Sequence, residues 1–204
     1  MILYFVRHGE TEWNVKKKIQ GATDIPLNEN GRRQARDLAE QLVRQRDRGM
    51  LRVVRAYTSP QLRAAETAQV AAEALGIPCI SLDGLKEMSM GVWEGLTWET
   101  VQRDYKEDYY CWNADRRYAK TPQGESYNEL LIRTFDALSY ILEREQEDVL
   151  VVSHSAVLMA VRCYVEGYSF DEDTMVGRYK TRNTEVVEIS EQEMRQAIER
   201  FRKE

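Results

Sequence analysis

Ile2-Leu3-Tyr4-Phe5-Val6-Arg7-His8-Gly9-Glu10-Thr11 lies at the start of the chain, and the change of character inside it decides the fold class. Five apolar residues in a row, followed at once by charge, read as a strand buried on both faces. Such strands belong to parallel sheets, because only crossover helices cover both faces of a sheet. The rest of the chain repeats that alternation. Residues 51–57, 78–82 and 149–152 are further short apolar runs, and 184–189 alternates as a last strand.

Helical patterns separate these strands. Over residues 28–46, Ala35, Leu38, Ala39 and Leu42 recur at helical spacing. Ser59-Pro60 reads as an N-cap followed by proline at the first helical position. The helix it opens carries Leu62, Ala65, Ala68, Ala72 and Leu75, and Gly76 suits its end. Ser126-x-x-Glu129 and Ser190-x-x-Glu193 are capping boxes. The first precedes an apolar stripe of Leu131, Phe135, Leu138 and Leu142. A short apolar helix is expected at 155–165 and a modest one near 97–105. The pattern predicts an α/β protein with an open, mostly parallel sheet covered on both faces.

The 204 residues suit one domain, 1–204, with a lid or specificity insertion at about 88–125. No stretch approaches the roughly 18 apolar residues of a membrane span, and the first apolar run is too short for a signal peptide. A cytoplasmic protein is expected. Cys79, Cys111 and Cys163 form neither a disulfide framework nor a zinc pattern and read as idle thiols. Net charge is −5, with 29 Lys+Arg against 34 Asp+Glu, which disfavours nucleic acid as a partner. Lys16-Lys17-Lys18 reads as a solvated loop on the same ground.

Ligands of open α/β sheets bind outside the carboxyl ends of the strands. There stand Arg7-His8, then Thr58-Ser59-Pro60-x-x-Arg63, then Glu87, and Ser153-His154-Ser155. The chain has 2 histidines, and both lie at such ends. Guanidiniums match phosphate oxygens, and clustered cations disfavour imidazolium, leaving a ring nitrogen free to attack phosphorus. Amides at the helix start after His154 would add to an anion cradle. A desolvated Glu87 carboxyl would protonate the leaving alkoxide. There is no G-x-x-x-x-G-K-[ST], G-x-G-x-x-G or G-x-S-x-G motif, and two histidines without clustered carboxylates make a poor metal centre.

These residues resemble the histidine phosphatase superfamily, also called phosphoglycerate mutase-like. The likeness begins with Arg7-His8-Gly9-Glu10-Thr11 and runs through Trp13-Asn14, Gln20-Gly21, Asp24-x-Pro26-Leu27 and Gly31-x-x-Gln34-Ala35. It continues through Ser59-Pro60-x-x-Arg63-Ala64-x-x-Thr67-Ala68, Glu87, Gly91-x-Trp93-Glu94-Gly95, Pro122-x-Gly124-Glu125-Ser126 and Val151-Val152-Ser153-His154. The resemblance implies a three-layer α/β/α sandwich around a mostly parallel sheet with one antiparallel strand. It implies that His8 is phosphorylated in turnover, that Arg7, Arg63 and His154 hold the phosphoryl group, and that Glu87 donates a proton. It places Asn14, Gln20 and Gly21 near the phosphate and the substrate mouth, and it implies no cofactor and no metal.

One position departs from the family pattern: Ser155 stands where glycine is usual, either reshaping the cradle or donating its hydroxyl to it. Arg116-Arg117 resembles a carboxylate-gripping pair of the glycolytic mutases, with exposed arginines as the alternative. Tyr105, Tyr109, Tyr110, Trp112 and Tyr118 read either as a substrate lid or as a small satellite core. The expected activity is metal-independent hydrolysis of small phosphorylated metabolites through a phosphohistidine. The alternatives are a mutase and a non-catalytic phosphate-binding protein. The glycolytic mutases usually carry a larger insertion after Glu87, so the short one here favours hydrolysis. Phosphoglycerate, sugar phosphates, a bisphosphorylated sugar and ribazole phosphate are all candidate substrates, and a monomer and a homodimer both remain open.

Overall fold

Strand β1 (Ile2–Arg7) lies between two others, which is why its apolar run is unbroken. It pairs in parallel with β4 (Val149–Ser153) and antiparallel with β5 (Val186–Ser190). Beyond β4 come β2 (Arg55–Thr58) and β3 (Cys79–Ser81), giving the order β3-β2-β4-β1-β5. The computed structural model describes residues 1–204.

Side chains alternate across β1 and so feed two cores. Tyr4 and Val6 pack with α2 (Glu29–Asp47) and α3 (Leu62–Leu75), in a cluster including Leu38, Leu42, Ala64 and Ala68. Leu3 and Phe5 face a larger cluster with α6 (Tyr127–Arg144), α7 (Ser155–Glu166) and α8 (Glu191–Phe201). The result is the three-layer α/β/α sandwich with one antiparallel strand. Both expected capping boxes form, Ser126 with Glu129 and Ser190 with Glu193. Helix α2 begins at Asn28, whose side chain accepts from the Gly31 amide. Gly31 is obligatory there: a Cβ would lie 2.1 Å from the carbonyl oxygen of Glu10.

Two local expectations are corrected. The second strand begins at Arg55 rather than at residue 51; Leu51 and Val53 bury their side chains without joining the ladder. Ser59 is not the N-cap of α3. Its amide still belongs to the sheet, donating to the Val152 carbonyl at 3.1 Å. The helix starts after Gln61, and its first amide, Leu62, is capped by the Asp24 carboxylate at 2.8 Å. A π-turn over Asp173–Arg178 had no counterpart in the sequence pattern.

Between Glu87 and α6 lie α4 (Trp98–Asp104) and α5 (Lys106–Ala114), the second unanticipated. Trp93 and Trp112 meet edge to face at 5.6 Å and are almost fully buried, while Trp98 stacks on Trp112 at 5.7 Å. Tyr105 and Tyr109 pack against this cluster, whereas Tyr110 and Tyr118 are exposed. The buried rings of the aromatic segment thus belong to the main core rather than to a separate satellite core. A short helix α1 (Glu12–Val15) follows β1 and carries Asn14.

Candidate active site

Sheet register alone brings the two histidines together. Arg7 stands opposite Ser153 in the β1–β4 ladder, so His8 and His154 each follow their strand by one residue. The His8 amide extends the ladder, donating to the Ser153 carbonyl at 3.0 Å. The two rings sit 5.2 Å apart, centroid to centroid, tilted by 58°.

His8 is buried, and its Nδ1 lies 2.6 Å from the carbonyl oxygen of Gly9. A carbonyl only accepts, so Nδ1 carries the proton and Nε2 keeps its lone pair. Burial, then the Arg63 and Arg7 charges, hold the His8 pKa well below the ordinary histidine value. His154 is shifted the same way, by burial first and then by Arg63 and His8. The nucleophile candidate is therefore neutral and correctly tautomeric at neutral pH.

Several buried polar atoms around the pair have no hydrogen-bond partner. Both ring nitrogens of His154 and the Nε atoms of Arg7 and Arg63 have no partner. Such groups are costly to bury, which makes this end of the sheet a candidate anion site. Backbone carbonyls hold both Nη atoms of Arg63 and the Nη1 of Arg7, which restrains the two guanidiniums. Arg63 donates to Thr23 and Gly21, both at 2.9 Å, and Arg7 to Thr181 at 2.6 Å.

Glu87 approaches from beyond β3. Its Oε1 accepts from the Met88 amide at 2.9 Å and its Oε2 from the Ala156 amide at 3.3 Å. Those amides and the two arginines lower its pKa, but burial prevails and the carboxyl is held above its ordinary value. One amide at the start of α7 thus serves Glu87 rather than standing free for an anion. A cleft of about 720 Å³ opens beside Glu87 and does not include His8 in its wall.

The remaining expected residues separate into two groups. Asn14, Gln20 and Gly21 surround the cradle indirectly. Asn14 caps α1 through Thr11, Gln20 accepts from the Thr11 hydroxyl at 3.0 Å, and Gly21 offers its carbonyl to Arg63. Gly21 has φ 55°, and a Cβ there would fall 2.2 Å from Glu94, whose carboxylate holds the Ala22 and Thr23 amides. Ser155 is the first residue of α7, beside His154 and half-buried. Arg116 and Arg117 form the second group and are engaged within the chain. Arg116 is buried, pairs with Glu172 at 3.1 Å and stacks on Trp112; Arg117 pairs with Glu204. Neither is the exposed arginine of the alternative reading.

Four supporting residues were not anticipated. Gln61 receives the Glu87 amide at 2.7 Å and donates to Gly21 at 3.1 Å and Ala22 at 3.3 Å, tying the acid to the mouth loop. Its signal was its place inside the Ser59–Arg63 motif. Arg133 binds the carbonyls of Gly84, Lys86 and Glu87, holding the loop that carries the acid. Asn183 donates to the His8 carbonyl at 2.7 Å, and Thr181 supplies the Arg7 acceptor. The last two arrive on the segment after the π-turn, where backbone contacts leave no sequence signature.

The model of the histidine phosphatase superfamily, branch 1, matches residues 3–204. The chain belongs to the histidine phosphatase superfamily. The superfamily members it resembles include an uncharacterized phosphatase, PhoE, of Bacillus subtilis, 35% identical over 79% of this chain and 76% of that protein. A probable phosphoglycerate mutase, GpmB, of Serratia proteamaculans is 39% identical over 76% of this chain and 70% of that protein. The chain spans about a third of the length of a chicken 6-phosphofructo-2-kinase/fructose-2,6-bisphosphatase, to which it is 36% identical over 83% of its own length. Among solved structures, YhfR of Bacillus stearothermophilus superposes with a TM-score of 0.79 at 30% identity, covering 93% of this chain and 90% of that one. Superfamily relatives thus carry both phosphatase and mutase names, and an enzyme of phosphoryl transfer is supported. No helix is long and apolar enough to cross a membrane.

Proposed function

We propose that this protein is a phosphomonoester hydrolase of small phosphorylated metabolites, working through a phosphohistidine on His8. The observation that carries the reading is the free Nε2 of a neutral His8 beside the unpartnered donors of His154, Arg7 and Arg63.

In the first step the Nε2 lone pair attacks phosphorus and the bond from phosphorus to the ester oxygen breaks. The Glu87 carboxyl gives its proton to that oxygen, so the alcohol leaves neutral. Arg7, Arg63 and His154 hold the equatorial oxygens, where charge spreads in the transition state. In the second step Glu87, now ionised, takes a proton from water as the water oxygen attacks phosphorus. The N–P bond breaks, phosphate leaves, and both His8 and Glu87 return to their starting states. Asn14, Gln20, Gly21 and Ser155 border this cradle and position the phosphate end of the substrate.

Release of phosphate from p-nitrophenyl phosphate, with and without EDTA, tests the reading. Turnover that survives chelation and disappears in His8→Ala is expected. Activity lost to EDTA contradicts the metal-independent chemistry.

The mutase reading is favoured by the Serratia relative's name. It differs only in the acceptor of the phosphoryl group. Interconversion of 2- and 3-phosphoglycerate faster than phosphate release would establish it. The short segment between Glu87 and α6 supports water as the acceptor instead.

A further inference from the structure

If Glu87 protonates the leaving oxygen, the alcohol half of the substrate occupies the cleft beside it, and the cleft wall reports on that alcohol. This inference rests on the hydrolase reading. The wall contains no aromatic ring and no aliphatic side chain larger than alanine or proline. Besides Glu87, its charged residues are Asp24, Asp83 and Glu125 against Lys86 and Arg133.

Arg133 has nothing left to offer a ligand. A guanidinium has five N–H donors. Nε donates to Glu125 at 2.8 Å, and Nη1 to the carbonyls of Gly84 at 3.0 Å and Lys86 at 2.7 Å. Nη2 donates to the Glu87 carbonyl at 2.9 Å and to Glu125 at 3.0 Å. All five are consumed. Lys86 pairs with Asp83 at 3.0 Å. Asp24 makes no direct ion pair, although its charge is felt by the neighbouring Arg63; one of its oxygens accepts from the Leu62 amide at 2.8 Å and the other is unclaimed. The fixed cations of this site are therefore gathered on the phosphate side, and the leaving-group side carries excess negative charge.

We propose that this subsite takes uncharged, hydroxyl-rich alcohols, the polyol or sugar half of a phosphomonoester, and discriminates against leaving groups that carry a second anion. Hydroxyls find acceptors at Asp24 and Asp83 and a donor and acceptor at Ser89. A carboxylate or second phosphate meets the Asp24 charge in a wall whose two cations, Lys86 and Arg133, are already paired, and like-charge juxtaposition is a specificity device.

The test uses two substrates that differ in one group. Glycerol 1-phosphate and 3-phosphoglycerate share the phosphoryl end, and the second replaces a terminal CH2OH by a carboxylate. Expected is a kcat/KM at least about tenfold higher for glycerol 1-phosphate, with the ratio shrinking as salt is added. Asp24→Asn, which keeps the acceptor for Leu62, should narrow the ratio, and Lys86→Gln should widen it. Preference for 3-phosphoglycerate, or a ratio indifferent to Asp24→Asn, overturns the proposal. p-Nitrophenyl phosphate is run beside them. Hydrolysis of it together with a 3-phosphoglycerate preference overturns the subsite alone, whereas no hydrolysis of any ester overturns the hydrolase reading and the subsite with it.

Discussion

His8 and His154 face each other at 5.2 Å, both neutral, and only one of them has a hydrogen-bond partner for its ring. The asymmetry assigns different work to two identical side chains. The Gly9 carbonyl fixes the tautomer of His8, whereas neither ring nitrogen of His154 has a partner within the chain, which suits the roles proposed for them.

That difference separates stability from activity. Burying unpaired polar atoms costs about 1–3 kcal/mol. His154→Leu should therefore raise or preserve the melting temperature while lowering kcat/KM by about 10²-fold or more. Thermal melts beside p-nitrophenyl phosphate assays read both, and a variant that is both destabilised and fully active contradicts the assignment. Vanadate or phosphate should raise the melting temperature of the parent protein by mass action and leave His154→Leu almost unmoved.

Glu87→Gln should slow alkyl phosphates by about 10²–10⁴-fold and aryl phosphates far less in the first step, because an aryl oxide leaves without a proton. Comparable losses in that step for both substrate types, measured by single-turnover mixing, would remove Glu87 from the donor role.

The pH dependence of stability has a definite sign. The folded pKa of His8 and His154 lies well below the ordinary value of 6.5, so below that pH the unfolded chain binds more protons. Stability from this pair is full above 6.5 and falls as pH drops towards the folded values. Glu87 acts oppositely: its folded pKa lies above the ordinary 4.5, so its contribution is lost as pH rises through the folded value. With two histidines against one carboxyl, denaturant midpoints should fall from pH 7 to 5.5. The slope should flatten in the His8→Asn, His154→Asn double variant. An unchanged slope would mean that neither histidine is kept neutral by folding.

Trp112 is almost fully buried among Trp93, Trp98 and Tyr127. Trp112→Ala should cost about 3–5 kcal/mol in unfolding free energy. Activity per folded molecule should change much less, as measured after correcting for the folded fraction. A collapse of kcat with unchanged stability would instead favour the substrate-lid reading of the aromatic segment.

The core of the fold was legible because its signals are local. The apolar run of β1, the two capping boxes and Gly76 in left-handed conformation, φ 68°, each follow from residues within a few positions of one another. The strand ends then located His8, Glu87 and His154. What stayed hidden depends on distant partners. The α3 start was misplaced because its cap, Asp24, comes from another loop. Helix α5 buries only Trp112, too little for a periodic pattern to register. Arg133, Thr181 and Asn183 act through backbone carbonyls or as one, and such contacts leave no trace in residue type. The fates of Arg116 and Arg117 were set by Glu172 and Glu204, far along the chain.

The central claim is that phosphorus becomes bonded to His8. Glu87→Gln is mixed rapidly with p-nitrophenyl phosphate, the release of p-nitrophenol is followed, and the protein is quenched in alkali for peptide mapping by mass spectrometry. The predicted result is a burst of one p-nitrophenol per active site, with phosphate on the peptide containing His8 and none in a His8→Ala background. Steady turnover with no burst and no adduct, or an adduct on any other residue, would contradict it.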